Sequence, residues 1–361
     1  MMSCSKNISQ VKREELGRAL ARVEYQYLDN QSEAVLATKQ QLVRTIQHQL
    51  FRQHLSDIIS SVHCIGSHAE GTAVATSGYD LHCCLKLTSS GVVEACEDNS
   101  YKKVYGGPPT LLDSKGYLST VEAIKDLQKR IDYILQYHKI YFKDKLIHMT
   151  LETNNYMIVL NVSYERIELS VNISVALEYE HLRKSYSIIG FPNDLVARPE
   201  KAYGRSDLWK VSYSRNERDK LSKLDSEKLT LLRLMKLIKQ HTPQLRPLSS
   251  FFLKHAFLKM TTDYPKASWS SPSDFPERFK DMVKVMFTSL KKSLPCFFDK
   301  GINCLQDVTD AEKSQCAGFL GSTIANDDYA GLVGAVPATS VIVPERVLTA
   351  YDEEGWGCAL M

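Results

Sequence analysis

The sequence predicts an α+β protein in which a mixed sheet is preceded by a helix and followed by a helical domain. Three features carry that reading. Residues 167–175 alternate strictly between apolar and polar, as a strand with one half-buried face does. Residues 121–142 carry an apolar stripe at helical spacing through Ile124, Leu127, Ile131, Ile134 and Leu135. From Glu217 to about Leu294 the periodicity is again helical. With 361 residues, 43% of them hydrophobic and 24% charged, the chain is long enough for two domains.

Taken in order, residues 1–60 are polar and helix-favouring. Apolar positions at helical spacing, Leu42, Val43, Ile46, Leu50 and Phe51, predict an N-terminal helical segment packed on the core. The core is expected over 61–205, with strands at 79–87, 146–151, 156–162 and 167–177. Residues 94–113, with Gly106-Gly107-Pro108-Pro109, read as a loop, as does the stretch from Gly190-Phe191-Pro192 to Pro199. The helical domain is placed at 206–306. After Leu305 the chain turns rich in Gly, Ala, Asp and Val with little periodicity, and 307–361 read as a flexible acidic tail.

The formal net charge of +3 is too small to imply nucleic acid by itself. The charge is uneven, however. Residues 201–259 hold fourteen basic against five acidic side chains, and those after Leu305 hold two against nine. The nine cysteines are odd in number and form no Cys-x-x-Cys pair, which points to a reducing, cytoplasmic compartment. No run is long and apolar enough to span a bilayer.

The chemistry concentrates in Ile65-Gly66-Ser67-His68-Ala69-Glu70-Gly71-Thr72 and the strand Tyr79-Asp80-Leu81-His82-Cys83-Cys84-Leu85. A Gly-Ser turn entering a helical turn offers backbone N–H groups and a hydroxyl to a phosphate. On the following strand Asp80 and His82, two residues apart, share one face. This is the layout of a nucleotidyltransferase site, with histidine at the second acidic position. Such a site uses two divalent ions roughly 4 Å apart, anchored by carboxylates from an acid-x-acid strand and from a neighbouring strand.

Seven motifs in order extend the pattern: Gly66-Ser67-x-x-Glu70-Gly71; Leu85-Lys86-Leu87; Val171-Asn172-Ile173-x-x-Ala176-Leu177; Trp209-Lys210-Val211-Ser212-Tyr213-Ser214; Leu231-Leu232-Arg233-Leu234-Met235-Lys236; Leu248-Ser249-Ser250-Phe251-Phe252-Leu253-Lys254; and Leu294-Pro295-x-Phe297-Phe298-x-x-Gly301-x-Asn303. Over residues 65–305 the chain resembles the male-abnormal-twenty-one (Mab) family, which includes cyclic GMP-AMP synthase. The resemblance implies a polymerase-beta-like nucleotidyltransferase core and a helical domain, with ATP or GTP as ligands in a cleft between them. It assigns Ser67, in the Gly66-Ser67 turn, to the triphosphate, and the metal-binding triad to Asp80, His82 and Asn172. Phe251, with Ser250 beside it, falls where an aromatic stacks on a base. Lys210, Arg233 and Lys254 fall on basic phosphate contacts.

Two of the three triad positions have lost their charge. Mg²⁺ prefers oxygen ligands, so imidazole and a neutral amide replace carboxylates poorly. Asp80 and His82, together with Asn172, could still hold one softer ion, Mn²⁺ or Zn²⁺. The expectation is a catalytically impaired pseudoenzyme that signals by binding a nucleotide or a partner. The alternative is an active, nucleic-acid-sensing synthase of a cyclic dinucleotide or oligonucleotide in innate immunity, using Mg²⁺ or Mn²⁺. Residues 214–236 lack the cysteines and histidines of the zinc-binding insertion of cyclic GMP-AMP synthase, so no structural zinc is expected. That argues against sensing DNA in that way and leaves double-stranded RNA or no nucleic acid as the expectation. The C-terminal Cys358-Ala359-Leu360-Met361 fits a farnesylation box, which would add reversible membrane association through Cys358.

Overall fold

The computed structural model of the chain describes residues 8–29, 33–74, 77–87, 92–96, 100–153, 157–178, 194–198, 205–264, 269 and 274–339. Helix α1 (Ile8–Glu24) belongs to one compact unit together with the chain from residue 224 onward. Residues 32–223 form the other. The N-terminal segment expected to pack as a whole on the core is therefore split. α1 buries Leu16, Leu20 and Val23 within the helical unit. Helix α2 (Glu33–Ile46), continued by a π-helical stretch at Gln47–Gln53, packs on the sheet and buries Leu42, Val43, Ile46, Leu50 and Phe51.

The sheet unit runs β1 (Ile59–Ile65), the single turn α3 (Gly66–Ala69), β2 (Tyr79–Leu85), β3 (Val92–Ala95), β4 (Tyr101–Tyr105) and α4 (Thr120–Tyr137). It continues through the small hairpin β5 (Tyr141–Phe142) and β6 (Lys145–Leu146) to β7 (His148–Thr153), β8 (Ile158–Tyr164), β9 (Ile167–Glu178), β10 (Asp194–Ala197), β11 (Trp209–Ser212) and α5 (Ser214–Leu221). Nine of these strands form one mixed sheet in the order β1-β2-β9-β10-β11-β4-β3, with β8 also pairing β9 and carrying β7. The β2–β9 ladder is parallel and the other ladders of this sheet are antiparallel. Leu81, Cys83, Ile173, Val175 and Leu177 are buried, and the apolar stripe of α4 packs against β7, β9 and β10.

Two stretches read as loops contain strands. In 94–113, β4 buries Tyr101 and Val104, a spacing of three that hides the strand from an alternation test. Between Pro192 and Pro199, the short run Asp194-Leu195-Val196-Ala197 is a wholly buried strand between β9 and β11. The domain boundary expected at 205/206 also moves, to 223/224. β11 is a strand of the sheet, and its buried Trp209 donates its indole N–H to the Leu118 carbonyl at 2.8 Å.

The helical unit adds α6 (Ser226–His241), α7 (Ser250–Asp263), α8 (Asp274–Lys291), α9 (Asp310–Asn326) and α10 (Tyr329–Gly334) to α1. The flexible tail expected from 307 is contradicted as far as residue 339. α9 packs on α8, and α10 packs on α1. Leu320, Leu332, Val333 and Val336 are buried, and Arg22 and Tyr27 donate to the carbonyls of Val336 and Pro337. Small residues mask the periodicity: Gly321 lets Phe287 approach so closely that a Cβ there would lie 3.0 Å from its ring. The start of α9 was nonetheless written in Thr309-x-x-Glu312, a capping box in which each side chain binds the other's backbone N–H. Leu320→Ala should lower the unfolding free energy by about 2–5 kcal/mol in urea titrations. A loss below about 0.5 kcal/mol, as at an exposed position, would contradict a packed α9.

Candidate functional site

β1 ends at Ile65, and the chain turns at Gly66 with φ +71° before the single turn of α3. The glycine is required twice. Its φ is disfavoured for any side chain, and a Cβ there would lie 2.3 Å from Asp80 Oδ2. The Asp80 carboxylate therefore lies directly against the Gly66 backbone, with Ser67 next in the chain. Parallel register sets Asp80 opposite Asn172, whose Nδ2–H donates to Asp80 Oδ1 at 2.9 Å. The first and third triad positions meet, joined by a hydrogen bond.

His82 behaves differently. Its ring is 2% exposed, and Nδ1 lies 3.0 Å from Oδ2 of the fully buried Asp194 on β10. Asp194 Oδ1 accepts from the Arg215 guanidinium on α5 at 2.8 Å. Burial works to raise the Asp194 pKa, but the His82 hydrogen bond and the Arg215 charge work against it, and the carboxyl is held below its ordinary value. Burial also lowers His82, against the opposing pull of Asp194. The consistent state is a neutral imidazole donating Nδ1–H to an ionised carboxylate whose charge Arg215 balances. Asp194 and Arg215 escaped the sequence reading, although an acid opening an apolar run bounded by prolines is a signal for a buried strand.

Asp80 opens onto a cavity of about 450 Å³ that lies within the sheet unit. Arg44, Gln47, Cys64, His68 and Arg218 are among its other lining residues. His68 stacks on Tyr79 with ring centroids 3.8 Å apart, and Arg218 donates to the Cys64 carbonyl at 3.3 Å. Of the remaining sheet-unit candidates, Lys210 is half-buried on β11, with Nζ 5.9 Å from the centroid of the Tyr101 ring.

The other candidates lie in the helical unit. Arg233 is half-buried on α6, and Ser250, Phe251 and Lys254 lie on α7, which Ser249 caps by accepting from the Phe252 N–H at 3.0 Å. Phe251 sits edge-on to His255 at 4.2 Å, and Lys254 is buried. Cys358 lies outside the described residues.

Residues 227–320 match the family model of the Mab-21 protein HhH/H2TH-like domain. Over that segment the chain is similar to the Mab-21 family. The matched segment runs from α6 into α9, past the residue at which the sequence suggested a tail. It contains Arg233, Ser250, Phe251 and Lys254, whereas Gly66, Ser67, Asp80, His82, Asn172 and Lys210 precede it. No curated protein matches the chain. Among the described residues no helix is long and apolar enough to cross a membrane.

The His82 environment has a pH signature. Because its folded pKa lies below the ordinary 6.5, the unfolded chain binds a proton that the folded chain refuses. The contribution of neutral His82 is thus full above that value and lost as the pH falls below it, while that of Asp194 fades only below its own ordinary 3.8. In urea titrations between about pH 7 and pH 5 the wild-type unfolding free energy should fall, and His82→Gln should flatten the fall. Equal slopes would contradict a buried neutral His82.

Proposed function

We propose that this protein is a cyclic GMP-AMP synthase-like nucleotidyltransferase-fold protein that binds a nucleotide, has lost two-metal nucleotidyl transfer, and signals through binding. The observation that carries the reading is the 2.9 Å hydrogen bond from Asn172 to Asp80. A carboxylate at position 172 would add a metal ligand. The amide instead presents an N–H donor beside the one retained acid, where a cation needs an oxygen lone pair. His82 is 2% exposed and spends Nδ1–H on Asp194, so it offers the lone pair of Nε2 alone where a carboxylate would offer two charged oxygens.

Nucleotide binding is supported by other parts of the site. The cavity beside Asp80 has the size of a small-molecule pocket, and Arg44 and Arg218 line it. Guanidinium groups suit phosphate because their forked donors match its oxygens. The Gly66-Ser67 turn is kept, and in the same unit Lys210 is a basic residue that the family resemblance assigns to phosphate.

The test is incubation of the purified chain with ATP, GTP, CTP and UTP and with Mg²⁺ or Mn²⁺, with and without double-stranded RNA or DNA. No new nucleotide product is expected. Calorimetry should show ATP or GTP binding that Arg218→Ala weakens by about 1.5–3 kcal/mol, the range for a hydrogen bond to a charged group. A product that forms with the wild type and disappears with Asp80→Ala would overturn the reading.

A further inference from the structure

The face of β2 that carries Asp80 and His82 continues to Cys84, and the chemistry of its neighbours changes there. Ser61 on β1 and Ala176 on β9 stand opposite Cys84. By the two-residue period of a strand, His63 and Glu178 lie diagonally from it on the same face. One ligand atom from each of His63, Cys84 and Glu178 falls within 4.8 Å of the others, the one such group of three or more His, Cys, Asp or Glu among the described residues. His63 Nε2 lies 3.0 Å from Glu178 Oε1, and Ser61 Oγ lies 2.9 Å from His63 Nε2 and 2.7 Å from Glu178 Oε1.

We propose that Cys84, His63 and Glu178 bind a single Zn²⁺ ion, with Ser61 Oγ or water in the fourth position. The donor set decides the metal. A thiolate and an imidazole select a borderline-soft ion, and one carboxylate oxygen is compatible with it, whereas Mg²⁺ and Ca²⁺ prefer oxygens alone. The charge also closes: Zn²⁺ with one thiolate, one carboxylate and one neutral imidazole is neutral overall, which suits a site whose cysteine is fully buried. Tetrahedral zinc places its donors roughly 3.3–3.6 Å apart, so side-chain adjustments of about an ångström complete the site.

The His63 and Glu178 side chains are 23% and 13% exposed, leaving a path from solvent. On binding, the Cys84 S–H bond breaks, its proton passes to water, and the sulfur electron pair forms the metal bond, with no change in oxidation state. Cys84 lies four residues from Asp80, roughly 13 Å along the strand, so the ion is not one of the pair that nucleotidyl transfer would use. It would clamp β1, β2 and β9 together. The proposal departs from the expectation of no structural zinc, which rested on residues 214–236 and not on the pairing of β1, β2 and β9.

The experiment is Co²⁺ titration of the chelator-treated full chain, followed by displacement with Zn²⁺. One equivalent of Co²⁺ should bind with a thiolate-to-cobalt charge-transfer band, and Zn²⁺ should abolish that band and raise the melting temperature. Cys84→Ser should remove the band. Cys84→Ser and His63→Gln should each weaken binding at least about tenfold, the loss seen even for outer partners of metal ligands. Cys64→Ser and Cys96→Ser should leave the band intact. His63→Gln alters a partly exposed side chain and keeps the test independent of core packing at Cys84. Absence of a one-to-one complex, or a charge-transfer band that survives Cys84→Ser, would overturn the proposal.

Discussion

The parallel pairing of β2 with β9 is the constraint on which the candidate site depends. It brings together strands almost a hundred residues apart and fixes Asp80 beside Asn172, His82 beside Ser174 and Cys84 beside Ala176. A shift of one residue would turn Asp80, His82 and Cys84 to the other face and bring Leu81 and Cys83 in their place. The ladder thus creates a column of polar groups with three environments. Asp80 and Asn172 meet beside Gly66, His82 is bonded to Asp194, and Cys84 neighbours His63 and Glu178.

The middle of the column explains how histidine is held at an acidic position of the family pattern. A buried carboxylate without a partner carries a large desolvation penalty, but Asp194 has Arg215 on one oxygen and His82 on the other. These contacts link β10 to α5 and to β2 within the sheet unit. Aspartate at position 82 would place a second negative charge against Asp194 and remove the donor that its Oδ2 uses. His82 and Asp194 therefore have to be considered together: the imidazole removes a metal ligand and supplies a donor that the buried aspartate uses.

Much of this was legible in the sequence, for identifiable reasons. The alternation of 167–177 marked β9, the stripe through Ile124, Leu127 and Ile131 marked α4, and the Gly66-Ser67 turn with Asp80 and Asn172 located two of the residues that the structure joins. What escaped notice did so because local pattern was weak. β10 is four residues long and buried throughout, so it shows no alternation, and Asp194 was lost with it. α9 is built from small residues that pack closely, and it resembled a tail until its capping box is considered. The grouping of His63, Cys84 and Glu178 depends on registers between three strands, which no single stretch of sequence encodes. The split of the N-terminal segment has the same origin, because periodicity marks an apolar face without saying which unit covers it.

The central claim is that the Asp80 site no longer assembles two metal ions. Electron paramagnetic resonance of Mn²⁺ added to the full chain with a non-hydrolysable nucleoside triphosphate measures this directly, because two Mn²⁺ ions about 4 Å apart couple to each other. The account predicts the spectrum of isolated ions, with no coupled pair at any Mn²⁺ ratio. A coupled pair that forms with the wild type and vanishes with Asp80→Ala would contradict it.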